Sequence, residues 1–101
     1  CLLASGCVST AGPDVEVESL ATDRCFSLCA DAVSKGQDLS SGPCLSDDSE
    51  KWDVAYWVCD IAHTPREEVD NLEENQCEAF RSGEATHFVE LTPECEFIRA
   101  V

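Results

Sequence analysis

Apolar residues along this chain change their spacing several times, and each change marks an element. From Val17 to Lys35, residues Leu20, Phe26, Leu28, Ala32 and Val33 recur near three- and four-residue intervals, which predicts a helix, with Gly36 as its C-terminal stop. Cys25 and Cys29 stand four apart in it, so they lie one above the other on the same face. Side chains that point in parallel are poorly placed to bond each other, so each is expected to reach a different partner on a neighbouring element.

From Gln37 to Glu50 the periodicity gives way to serines, aspartates and Gly42-Pro43, a loop by composition with Cys44 in its middle. Trp52 to Ile61 then reads as a strand, because Val54, Tyr56, Trp57, Val58 and Ile61 are β-branched or aromatic. Both its faces are largely apolar, so it is expected to be central and covered on each side, until His63-Thr64-Pro65 breaks it. A second helix is predicted over Glu67 to Arg81, starting at Asp70 or Asn71, with Asn71 and Glu74 in a capping-box spacing. Leu72, Cys77 and Phe80 would form its narrow apolar side, and Gly83 would end it. Thr86 to Leu91 alternates as a second strand closed by Pro93, and Cys95, Phe97 and Ile98 form a tail strapped down by a bridge. The expected fold is α+β: two helices packed on a small β-sheet and crosslinked by disulfides. Residues 17–101 would make one cysteine-rich domain, and residues 1–16 a flexible N-terminal arm or the remnant of a signal sequence.

Cysteine content strengthens the crosslinked reading. Eight cysteines among 101 residues are more than a domain of this size keeps as free thiols outside a metal site or an oxidising compartment. Structural zinc sites take ligands in close pairs, and only Cys25 and Cys29 approach that spacing, with no second pair to complete it. Cys25, Cys29, Cys44, Cys59, Cys77 and Cys95 are therefore expected to form three disulfides, whose pairing stays open. That places the domain outside the cytoplasm, secreted or anchored at the cell surface.

Charge narrows the partners. With 21 acidic against 6 basic residues the formal net charge is −15, which repels phosphate backbones and anionic lipid headgroups. Nucleic acid is excluded as a partner on this ground. The same excess fits a chain from a high-salt organism, and it opposes compaction, which crosslinks would offset. The domain carries no apolar run long enough to cross a membrane, so contact with one would run only through a lipid anchor.

The N-terminal residues Leu3-Ala4-Ser5-Gly6-Cys7 resemble the end of a lipoprotein signal peptide, with Ala4 where a larger aliphatic is usual. The resemblance implies that Cys7 is lipidated and that the small, polar stretch from Val8 to Pro13 is a tether. Either the sequence is a trimmed precursor or Cys1 is itself a mature N-terminal cysteine; the alternative is an ordinary arm whose two cysteines pair with each other or with the body. The Cys25/Cys29 spacing also resembles the helical half of the cysteine-stabilised α/β scaffold of defensins and scorpion toxins, although Cys59 and Cys95 each stand singly. This likeness concerns geometry, helix bridged to strand, and not kinship. The stretch from Trp57 to Cys95 resembles uncharacterised cysteine-rich proteins of archaea, which implies no particular activity.

Few residues offer chemistry. His63 and His87 are the only imidazoles, with Asp60 three residues before the first and Glu90 three after the second. A nucleophilic mechanism would need such a pair beside an activated hydroxyl or thiol. The default for both is a structural hydrogen bond. Asp47, Asp48, Glu50 and Asp53 form an acidic loop next to Cys44 of the kind that holds calcium, but without the EF-hand spacing. Glu67, Glu68, Asp70, Glu73 and Glu74 read as the exposed face and first turn of the second helix, where the helix dipole favours acids. Trp52 and Tyr56 would share one face of the first strand and Trp57 the other, a surface suited to stacking or, by default, to core packing. The reading is a non-enzymatic domain with no cofactor, which binds a protein partner at the cell surface or serves structurally in the envelope. The alternatives are a metal-binding protein using thiolates or the acidic loop, and a small extracellular enzyme using a histidine.

Overall fold

A computed structural model describes residues 13–47 and 49–101; Cys1, Cys7 and the lipoprotein-like segment lie outside them, as does Asp48. Helix α1 runs over Pro13–Ser34, so residues 13–16, expected in the arm, form its first turn. Its end follows the sequence. Gly36 takes φ 78°, its N–H bonds the Val33 carbonyl, and the Gln37 N–H bonds the Ala32 carbonyl, the paired closure of a Schellman motif.

The face that α1 buries differs from the expected one. Ala21, Cys25, Leu28, Cys29 and Ala32 are buried, whereas Leu20, Phe26 and Val33 are exposed. Two disulfides set this choice. Cys25 bonds Cys59 and Cys29 bonds Cys95, with Cα atoms 5.3 and 5.8 Å apart, so the helix turns its cysteine face to the sheet and buries Ala21, Leu28 and Ala32 beside the bridges. Cysteines on one helix face therefore do reach different partners.

The sheet has three strands in the order β1-β2-β3: β1 over Trp57–Ile61, β2 over His87–Leu91 and β3 over Phe97–Ala100. β1 and β2 are parallel, with Cys59 opposite Val89 and Asp60 opposite Glu90. β3 returns antiparallel to β2 through an irregularity at Glu90/Leu91. The segment expected to be a strapped tail is thus a third strand, held by the bridge from Cys95.

Two further expectations are corrected. The first strand begins at Trp57 and not at Trp52, because Tyr56 takes a positive φ of 71° that breaks an extended run. It is also an edge strand by order, with β2 in the centre. Its faces are apolar all the same because the loop through Cys44 lies along its open edge: Leu45 N–H bonds the Cys59 carbonyl, and Ile61 N–H bonds that of Pro43.

The second helix dissolves into two 3-10 turns, Glu68–Asn71 and Glu73–Asn75, before a short helix α2 over Glu78–Arg81. Inward-turned polar side chains explain the loss. The Asp70 carboxylate accepts the backbone N–H groups of His63 and Glu67, and Asn75 Nδ2 donates to the Val69 carbonyl. Such side-chain bonds offer the backbone an alternative to helical pairing. Leu72, expected on the apolar side, is 46% exposed, while Cys77 turns inward to bond Cys44.

Three layers result. α1 covers one face of the sheet through Cys59, Ile61, Val89 and Leu91. The crossover from β1 to β2, residues 62–86, lies against the other face, where Val58, Cys77, Ala85 and Phe88 cluster. A right-angled contact between Phe80 of α2 and Phe88 of β2, centroids 5.3 Å apart, fastens the crossover to the sheet.

Candidate functional site

Alternation along the strands decides which side chains face the crossover. Cys59 and Val89 point to α1, so their neighbours Val58 and Asp60 on β1, and Phe88 and Glu90 on β2, point the other way. β3 adds Arg99, paired in register with Glu90. Between these residues and the crossover lies a cleft of about 460 Å³, within the usual range for small-molecule sites. Val58, Phe80, Phe88 and Cys77 give it apolar walls.

Its rim gathers half of the chain's six basic residues. Arg66, Arg81 and Arg99, three of the four arginines, line this one cleft. Glu90 is buried and clamped between two of them: Arg66 Nη1 donates to Oε2 at 3.1 Å and Arg99 Nε to Oε1 at 2.8 Å. The Arg99 guanidinium also lies over the Phe88 ring, 5.2 Å from its centre, a cation–π contact.

Asp60 sits beside Glu90 at the floor. Burial, then the neighbouring Glu90 charge, push its carboxyl up to about 8, with Arg66 pulling the other way. At neutral pH it is therefore the uncharged acid. Its Oδ1 is sealed from solvent and has no hydrogen-bond partner, the one such atom among the described residues. Two adjacent carboxyls thus meet different surroundings, Glu90 clamped by two arginines and Asp60 held protonated.

The histidines find other partners than those expected from spacing. His63 Nδ1 lies 2.9 Å from Asp70 Oδ1, not beside Asp60. Asp70 is 2% exposed; burial opposes its charge, yet bonds from the Glu67 and His63 N–H groups and the His63 ring outweigh burial and hold the carboxyl below its usual range. Asp70 is thereby corrected from an exposed helix-face acid to a buried tie; Glu67, Glu68, Glu73 and Glu74 are exposed as expected. His87 stacks on Trp57 with ring centres 4.7 Å apart, and Glu90, its expected partner, is taken by the arginines.

Aromatics of the first strand do not make one surface. Trp57 is buried, Trp52 is half-buried with Nε1 donating to the Trp57 carbonyl, and Tyr56 alone stands out at 70% exposure. The acidic loop is likewise dispersed: Asp47 accepts the Glu78 N–H at the start of α2, Asp53 pairs with Arg24, and Glu50 is exposed. Asp47 also lies with Cys44 and Cys77 in a group whose ligand atoms fall within 4.8 Å of one another. Sulfurs Cys44 and Cys77 are bonded to each other here, so neither is a thiolate ligand in this state. Among the described residues no cysteine is free, and no helix is long and apolar enough to cross a membrane.

Sequence reasoning missed the cleft. Asp60 and Glu90 were visible only as neighbours of histidines, and Arg66, Arg81 and Arg99 carried no signal. One clue was available: in so acidic a chain, arginines are rare enough that their positions deserve mapping onto the fold. No protein-family model, no curated protein and no solved structure matches this chain, so the site is read from its own geometry.

Proposed function

We propose that this chain is an extracytoplasmic, disulfide-locked binding domain, and that its ligand site is the arginine-bordered cleft between the sheet and the crossover. Three disulfides in one small domain support the compartment, because such bridges persist where the surroundings are oxidising. The observation that carries the binding role is the concentration of three arginines around a cleft floored by a half-buried carboxyl, one oxygen of which is sealed and without a partner. Cations placed against the chain's own composition point to a use, and a buried polar atom without a partner is costly unless something compensates.

Binding fits the geometry better than catalysis. Both oxygens of Glu90 are held by arginine, and Oδ1 of Asp60 is sealed, so neither carboxyl is poised to move a proton on a substrate. His63 is oriented by Asp70 as a catalytic base would be, but the six described cysteines are all bridged and supply no nucleophile.

The test is amide-shift mapping of the oxidised, isotope-labelled protein against a panel of small anionic, cationic and neutral compounds. The expected result is a saturable response centred on Val58, Asp60, Phe88 and Glu90. A panel that moves no cleft amide overturns the site. Alkylation of the protein from its natural producer, without reduction, tests the compartment: labelling at Cys25, Cys29, Cys44, Cys59, Cys77 or Cys95 would overturn it.

A further inference from the structure

Anion recognition is the one task for which this cleft departs from the rest of the molecule. The chain as a whole carries −15, yet the cleft sets three guanidinium groups against Glu90 and an uncharged Asp60. Its arginines are not equally engaged. Arg66 spends all three nitrogens inside the protein: Nη1 on Glu90, Nε on Asn71 Oδ1 and Nη2 on the Asp70 carbonyl. It is a structural clamp. Arg99 spends Nε on Glu90, and Arg81 spends one terminal nitrogen on Glu73 in an exposed pair, which holds weakly. Both line the cleft with donors to spare, from opposite layers.

The walls and the global charge choose among anions. Val58, Phe80 and Phe88 offer a surface that a hydrated phosphate or sulfate would leave unused. Repulsion by the surrounding acidic surface also grows with ligand charge, so a monoanion is penalised less than a dianion. Guanidinium donors match the two oxygens of a carboxylate in fork geometry. We propose that the cleft binds a carboxylate carrying an apolar body, with Arg81 and Arg99 holding the carboxylate and Val58, Phe80 and Phe88 receiving the body. This deepens the binding reading and rests on it. The ligand chemistry is shared by a free aryl or alkyl acid and by an apolar residue at a peptide C-terminus.

Asp60 makes the affinity depend on pH. It is faced by Glu90 from β2, by Arg66 and Asp70 from the crossover, and by Arg81 and Arg99 across the cleft. While neutral it leaves the arginines' charge available; once ionised it cancels part of it and repels the ligand.

The experiment titrates the oxidised, isotope-labelled chain with 3-phenylpropionate and, in parallel, with 3-phenylpropanol, which has the same body without the charge. N-acetylphenylalanine and its amide form a second pair that reports on the peptide-terminus source. Each carboxylate is expected to shift cleft amides at least about tenfold more tightly than its uncharged twin, the worth of one charge-assisted hydrogen bond. Arg81→Gln, a change at an exposed side chain, should cost about tenfold, and Arg99→Gln serves as the second variant. Wild-type affinity should weaken as pH rises past about 8, and Asp60→Asn should remove that weakening. If the uncharged twins bind the cleft as tightly as the carboxylates, the carboxylate assignment falls while the binding site stands. If none of the four moves a cleft amide while another compound of the wider panel does, the carboxylate assignment falls and the site stands; if no compound of either set does, both fall.

Discussion

Replacing Asp60 by asparagine should change how the stability of this protein depends on pH. Folding lifts the Asp60 carboxyl from its ordinary 3.8 to about 8, first through burial and then through Glu90. A carboxyl raised in the folded state keeps its proton after the unfolded chain has released it. Folding therefore takes up a proton between those two values, and stability falls as pH rises through the window. At ~1.4 kcal/mol per pH unit the full span has a ceiling of about 6 kcal/mol, of which about 4 kcal/mol lies between pH 5 and pH 8. Asparagine has the shape of the protonated acid and does not titrate, so the variant escapes the loss. The two proteins should be similarly stable near pH 5, and Asp60→Asn should be several kcal/mol more stable near pH 9. Guanidinium unfolding of both across that range measures it. Subtracting one curve from the other cancels the shared groups that do not interact with Asp60. A difference that stays within about 1 kcal/mol from pH 5 to pH 9 would refute the protonated Asp60 on which the cleft's charge rests.

Three other outcomes are expected. Gly42→Ala should lower stability by about 2–4 kcal/mol in chemical unfolding, because residue 42 has φ 71° and a Cβ there would meet Asp70 Oδ1 and the Ile61 carbonyl. Asp70→Asn should remove an acid-side dependence: Asp70 is held low, so its contribution is present above about 3.8 and fades as pH falls through its lower folded value. Unfolding curves between about pH 2 and pH 5 show whether the wild-type limb is steeper than the variant's. Removing the Cys29–Cys95 bridge by a double alanine change opens a span of 66 residues and should cost about 4 kcal/mol, with amide exchange accelerated first in β3.

Local signals carried much of the fold because they reported local physics. Gly36 ends α1 because only a residue tolerant of φ 78° closes the motif there, and Pro93 and the alternation from Thr86 mark β2 for the same kind of reason. Cys25 and Cys29 announced a helix bridged to two elements by spacing alone. What failed was decided at a distance. The buried stripe of α1 is the face that carries its cystines, with Ala21, Leu28 and Ala32 beside them, and Phe26 and Val33 lie off that face. Residues 67–76 had helical composition, but a carboxylate drawn into the core by the His63 and Glu67 N–H groups turned them into 3-10 turns. The third strand stayed hidden because it is an edge strand whose Phe97 and Arg99 are exposed and whose Ile98 and Ala100 are only half-buried.

The site was the least legible part, and the cause is topological. Asp60 and Glu90 are 30 positions apart and become neighbours only because β1 and β2 are parallel and in that register. A parallel pair needs a crossover, and here the crossover supplies Arg66, Arg81 and the disulfide half Cys77, so the connection that makes the sheet also makes the cleft. Charge then explains why the arginines collect there. On the open surface of so acidic a chain a guanidinium pairs with many exposed carboxylates at little gain, as Arg24 does with Asp53. Beside a buried Glu90 the same group offsets a desolvated charge, and removing it would leave that charge unpaired. Two guanidiniums on one carboxylate exceed what neutralising Glu90 requires, and Arg81 adds a third that only the exposed Glu73 offsets. The surplus of positive charge over the floor of the cleft is what a structural explanation leaves over, and an anionic ligand is what would use it.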